Sequence, residues 1–173
     1  FQSGLSWSTI LKKREAFRCA FASFIPEAVA AFTDQDRERL MQDAGIVRNK
    51  RKIDAAITNA RAVIALRGAL AAEVDAHRAG RMGEAPLRHL LRPRQSYPRH
   101  LGELVWLYQP SQQPRPKNAG EVPAQTEESR ALSLELKRRG FVFVGPVTAL
   151  ALMSAIGITN TDIIGTWKRP LAE

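Results

Sequence analysis

Residues 126–157 read TEESRALSLELKRRGFVFVGPVTALALMSAIG, and the fold turns on this stretch. Leu132, Leu134 and Leu136 alternate as in a strand, yet the charges at the two ends argue for a helix. Thr126 stands as an N-cap, Glu127 and Glu128 fill the first turn, and Lys137, Arg138 and Arg139 fill the last, each sign opposing the helix dipole. Gly140 can take the left-handed conformation that ends such a helix. Pro146 can open the next one after Phe141-Val142-Phe143-Val144-Gly145. Val147 to Ile156 is apolar nearly all round and stops at Gly157, which predicts a central helix. A helix N-terminus that begins at such a hairpin presents unpaired N–H groups to an anion, although two glycines also simply let two helices turn.

The rest of the chain agrees with helices. From Ser6 onward Ile10, Phe17, Phe21 and Phe24 recur at helical spacing and predict one amphipathic helix. Pro26 can open a short turn reaching Ala31, and Thr33 caps a segment with Asp34 and Asp36 that closes at Gly45. Arg48, Lys50, Arg51 and Lys52 lead into the stripe Ile53, Ala56, Ile57, Ala60, Val63, Ile64. The texture changes between Gly80 and Pro123, which hold seven of the ten prolines. A loop-rich lobe is expected at about 67–127, punctuated by Arg88, Arg92, Arg94 and Arg99, with Pro110 to Pro123 extended or mobile. No alternation of strands with crossovers occurs, so the fold class is all-α.

Composition narrows the function. With 173 residues, 45% of them apolar and 25% charged, the chain has the make-up of one globular domain. No apolar run of about 18–20 residues is evident, and no membrane association is expected. Cys19 is the single cysteine, so no internal disulfide can form, and a buried small hydrophobe is its expected state. The formal charge is +9, and Arg outnumbers Lys by 19 to 7. Guanidinium forks match phosphate oxygens, which makes a polyanionic partner plausible, although charge alone also serves solubility.

Several strings in order go beyond pattern. Phe1-Gln2-Ser3-Gly4-Leu5-Ser6-Trp7, Ile10-Leu11-Lys12-Lys13-Arg14-Glu15, Asp43-Ala44-Gly45-Ile46-Val47-Arg48, Lys52-Ile53 with Asn59-Ala60-Arg61-Ala62, and Leu136-Lys137-Arg138-Arg139-Gly140-Phe141 with Phe143-Val144-Gly145-Pro146 resemble the 3-methyladenine DNA glycosylase I family. The resemblance covers residues 1 to about 66 and 128 to 165. It implies a single helix-hairpin-helix domain that grips duplex DNA carrying an alkylated purine, flips the damaged base into a pocket and hydrolyses its glycosidic bond. By the same resemblance Trp7, Leu5 and Ser6 belong to the base pocket. Gln2, Gly4, Leu5, Arg48, Lys50, Lys137, Arg138, Gly140, Val144 and Gly145 would meet DNA. A cytoplasmic, nucleoid-associated monomer is expected, and the alternative is a DNA-binding relative that has lost catalysis.

Three departures qualify the resemblance. The family's base-contacting Glu and pocket Tyr lie upstream of the Phe-Gln motif, so a longer chain preceding Phe1 is expected. Asp162 and Thr166 stand where the family commonly has the last pair of zinc ligands, and a hydroxyl binds zinc poorly, so no metal and no cofactor are expected. Val147 occupies the place at which related lyases carry a Schiff-base Lys, which favours simple hydrolysis. Asp162 is the one catalytic candidate on this chain, with capping of a helix at Ile163 as its other reading.

Overall fold

Two breaks divide the N-terminal stripe that reads as one helix. In the computed structural model, which describes residues 1, 4–166 and 168, α1 spans Trp7–Lys12 and α2 spans Arg14–Ala20. Lys13 lies between them with non-helical backbone angles, and its Nζ donates to the carbonyls of Ala44 (2.8 Å) and Gly45 (3.1 Å). After α2 the backbone of Ala22, Ser23 and Phe24 is left-handed, with φ of 48°, 55° and 58°. Three such residues without glycine cost about 1–2 kcal/mol each. Ring packing offsets part of this, since Phe24 stacks on Phe21 at 5.4 Å and 2°. Phe24 therefore sits half exposed on a turn and not on the predicted stripe.

The next two elements follow their caps. Pro26 opens α3, Pro26–Ala30, and Thr33 caps α4, Asp34–Gln42. A capping box holds the second: Thr33 Oγ1 accepts from the Asp36 N–H and the Asp36 carboxylate accepts from the Thr33 N–H. That N–H, with Arg39 nearby, keeps the Asp36 carboxyl below its ordinary range. A lowered native value means the box's contribution is present at neutral pH and is lost as pH falls through it. Around these helices Phe17, Phe21, Val29, Leu40, Ile46, Ile53 and Ile57 form one core cluster.

The helix α5, Lys50–Arg78, runs 29 residues, well past Ile64 and into the region expected to be loops. Alanines and leucines beyond Ile64 favour helix without marking a narrow stripe. It ends where Gly80 turns left-handed (φ 71°), with Gly80 N–H bonded to His77 O and Arg81 N–H to Ala76 O. By length and composition α5 could cross a membrane, contrary to the expectation of no such run. Its residues Ile53, Ala55, Ile57, Ala60, Ala62, Leu66 and Leu70 are nevertheless buried within the protein.

The chain divides into two compact units, residues 1–68 with 138–143, and 69–137 with 144–173. In the second, the prolines space short elements: single 3₁₀ turns at Met82–Glu84, Arg88–Leu90 and Ala119–Glu121, and α6 at Leu101–Trp106. Side chains tie these segments down. Tyr97 Oη donates to Glu73 at 2.6 Å and accepts from the Leu87 N–H, while Arg92 donates to the Gln109 carbonyl at 2.8 Å. The stretch expected to be extended or mobile carries Gln113, whose amide donates to Ile158 O (3.1 Å) and accepts from Asn160 N–H (2.8 Å).

Helix α7, Glu127–Arg138, and helix α8, Pro146–Ala155, have the ends read from their charges and prolines. Gly140 is left-handed as expected, at φ 86°. The expectation of a central α8 fails: Ala149, Leu150 and Met153 are buried on one face, while Val147, Leu152 and Ile156 face out. All-round apolar composition does not show how many sides of a helix have neighbours. Among the described residues there is no extended strand, so the protein is all-α.

Just beyond α8, Thr159 is 2% exposed and its hydroxyl has no hydrogen-bond partner among the described residues. An orphaned buried hydroxyl costs about 1–3 kcal/mol. Thr159→Val keeps the shape and removes that cost, so it is expected to raise the unfolding midpoint in urea. A lower midpoint would mean that the hydroxyl is satisfied in solution.

Candidate nucleic-acid interface

In the N-terminal unit the pocket candidates lie on a turn and a helix head. Gly4 is left-handed (φ 76°) with open space where a Cβ would stand, so its backbone angle is what calls for glycine. Ser6 caps α1, its Oγ accepting from the Thr9 N–H at 3.2 Å. Trp7 follows, 54% exposed, and Leu5 is exposed beside it in sequence. A buried indole would have been explained by packing; this one is not. Gln2 lies outside the described residues.

The basic residues fall into two groups with different physics. Arg48 and Lys50 are exposed at the start of α5, where Asn49 caps through a bond to the Lys52 N–H at 3.1 Å. No acidic residue occupies that first turn. Cations there face the positive end of the helix dipole, which disfavours them, so the helix itself does not explain them. Lys52 is engaged with the Phe1 carbonyl at 2.8 Å. Lys137 and Arg138, by contrast, close α7, where a positive charge is favoured by the dipole alone.

The turn between α7 and α8 is held by side chains that the motif reading did not single out for a role. Asn59 on α5 makes two bonds to Val142: its Nδ2 donates to the carbonyl at 3.1 Å and its Oδ1 accepts from the N–H at 2.8 Å. Phe143 is left-handed (φ 59°), and the Arg51 guanidinium carbon lies 5.7 Å from its ring centroid. In the other unit, buried Ser133 donates to the Val144 carbonyl at 2.5 Å. Gly145 caps α8 without any side-chain acceptor, and Val147 in the first turn is exposed. The alternation Phe141, Val142, Phe143, Val144 hinted at extended backbone, but nothing local in the sequence pairs Asn59 with a residue 83 positions away.

Asp162 caps no helix among the described residues, against the alternative reading: residues 164 and 165 form a turn. Its own N–H donates to Asn160 Oδ1 at 2.9 Å, so it stands in an Asx turn and is half-buried. At the second of the two positions matched to zinc ligands, the Thr166 hydroxyl donates to Ile163 O at 2.8 Å. Among the described residues no three His, Cys, Asp or Glu gather as a ligand set. Cys19 is exposed on α2 and not buried as expected, since the face of α2 that enters the core is that of Phe17 and Ala20.

Comparison with known proteins places these features in a lineage. The family model described as methyladenine glycosylase matches residues 1–100 and 88–169. The chain is 38% identical to DNA-3-methyladenine glycosylase 1 of Escherichia coli K12 over 167 residues, covering 95% of this chain and 74% of that protein. A crystal structure of 3-methyladenine DNA glycosylase I superposes with a TM-score of 0.73 at 34% identity, covering 98% of this chain and 79% of that one. The enzyme of that name from Staphylococcus aureus, solved for the structural basis of its 3-methyladenine recognition, gives 0.73 at 28% identity, with 96% and 75% covered. An all-helical chain with an exposed Trp7 and a turn bounded by Gly140 and Gly145, matched along nearly its whole length, belongs to the methyladenine glycosylase family.

Proposed function

We propose that this protein is a DNA glycosylase that releases 3-methyladenine from alkylated duplex DNA, in base-excision repair, and leaves an abasic site. The observation that carries the reading is the indole of Trp7, held half in solvent at the head of α1 in a chain whose relatives bear that activity in their names. Methylation at N3 leaves adenine cationic, and an indole face attracts a cation by about 0.5–2 kcal/mol. The base must first leave the stack, and Leu5 on the Gly4 turn is an apolar wedge that can fill the gap. Ser6 completes this pocket segment. Water then adds to C1′ as the C1′–N9 bond breaks; the departing electron pair neutralises the ring, and the water's proton passes to solvent. Such a leaving group needs no metal, cofactor or amine nucleophile. Asp162 stays the catalytic candidate among this chain's own residues.

DNA is gripped through phosphates by Arg48, Lys50, Lys137 and Arg138, by the backbone of Gly4, Gly140, Val144 and Gly145, and by Gln2. The protein works as a single-domain monomer on the nucleoid in the cytoplasm. The test is release of free methylated base from alkylated DNA by full-length protein, with and without chelator. Release is expected in both, and duplex affinity is expected to fall with salt at a slope of about −0.9 per phosphate neutralised. Borohydride is expected to trap nothing. A covalent complex would overturn the hydrolytic mechanism and point to Lys50, since the Lys13 amine is held by two carbonyls.

A further inference from the structure

A bulky residue at positive φ persists only where its surroundings hold it. Phe143 is such a residue, 47% exposed, in the turn that follows α7. Two side chains from α5 bear on that turn. The Asn59 carboxamide imitates a strand partner, satisfying both backbone groups of Val142, the residue just before Phe143. Arg51, two turns earlier on α5, lies over the Phe143 ring itself. Close approach is possible because α5 carries only Ala62 one turn beyond Asn59, with its Cβ 4.0 Å from where a Cβ of Gly140 would stand. The sequence fragment at 59–62 thus contains a ligand for the hairpin's backbone and a small residue that admits it.

We infer that Asn59 is a positioning residue for DNA binding, with Arg51 as its accessory: together they hold residues 140–143, with Gly140 and Phe143 left-handed, in the turn that presents the hairpin to a phosphate. Asn59 acts through the backbone and not on DNA. The pairing also removes the Val142 N–H from the set that a phosphate could use, which leaves the amides that follow it. This inference rests on the glycosylase reading, because it takes the hairpin to be a DNA-contacting element.

The clamp and its consequence can be measured separately. Asn59→Ala is expected to speed hydrogen exchange at the Val142 amide in the absence of DNA. It is expected to weaken binding to undamaged duplex by about tenfold, the scale of two ordinary hydrogen bonds, and to raise KM while kcat at saturating alkylated DNA stays within about twofold. Asn59→Asp keeps the shape and the acceptor but sets a carboxylate oxygen against the Val142 carbonyl, so it is expected to behave like the Ala variant at neutral pH. Phe143→Gly supplies a residue that enters the left-handed region freely, so in that background Asn59→Ala should cost clearly less affinity. Equal cost in both backgrounds, unchanged duplex affinity, or a fall in kcat with affinity intact would overturn the positioning role. Failure of the unaltered protein to bind duplex DNA at all would instead overturn the glycosylase reading.

Discussion

Trp7→Ala is expected to lower release of 3-methyladenine by roughly 5- to 150-fold, while affinity for undamaged duplex changes by less than about twofold. Stacking of a base on an aromatic ring is worth about 1–3 kcal/mol, and each 1.36 kcal/mol is a factor of ten in rate. The asymmetry follows from when the ring would be used on the proposed reading: an extruded base would meet it, a stacked one would not. Stability should barely move, because Trp7 is 54% exposed at the first position of α1 and contributes little to the core. Trp7→Phe is expected to retain an intermediate rate, since a smaller ring still offers a π-face. A parallel loss of binding to undamaged DNA would show that the ring grips the duplex generally and would remove it from the pocket.

The second large effect concerns folding. Phe21 is fully buried, with ring centroids of Phe1 and Phe24 at 5.4 Å and of Phe17 and Phe32 at 6.2 Å. Phe21→Ala is therefore expected to cost about 3–5 kcal/mol, the usual range for deleting a buried aromatic. Its cost has a second part, because the Phe21 ring is what Phe24 stacks on at the left-handed turn. Unfolding in urea would read the total. Phe21→Leu should lose less than half as much, and a loss below about 1 kcal/mol for Phe21→Ala would mean that the four remaining rings repack.

How far the sequence reaches depends on the range of the forces. End signals are local, and they located α4, α7 and α8 closely: Thr33 with Asp36, Glu127 and Glu128 against Lys137 and Arg138, and Pro146. Left-handed Gly140 was equally legible, because one residue type suits that backbone. The break at Lys13 was not, since its amine is captured by carbonyls some 31 positions away. The same holds for Gln113 on the 158–160 loop and Asn59 on Val142, both long-range carboxamide bonds. Burial was misjudged where composition was taken for environment: Cys19 and the outer face of α8 are exposed although apolar. Of the candidate interface, motif order pointed to Trp7 and the hairpin, whereas Asn59 and Arg51 bear on the hairpin through long-range contacts with no local signal in the sequence.

The cationic first turn of α5 has a thermodynamic consequence. Lys50, Arg51 and Lys52 repel one another and the positive end of their own helix, so the unliganded protein carries a destabilising charge arrangement at that place. A polyanion bound there, as the proposed function requires, would cancel it. Affinity and thermal resistance are then linked: whatever polyphosphate occupies this end raises the melting temperature by mass action, and the linkage is steepest in dilute buffer, where ions screen least. On the proposed reading this helix end trades some of its own stability for binding, the trade-off that functional surfaces commonly show.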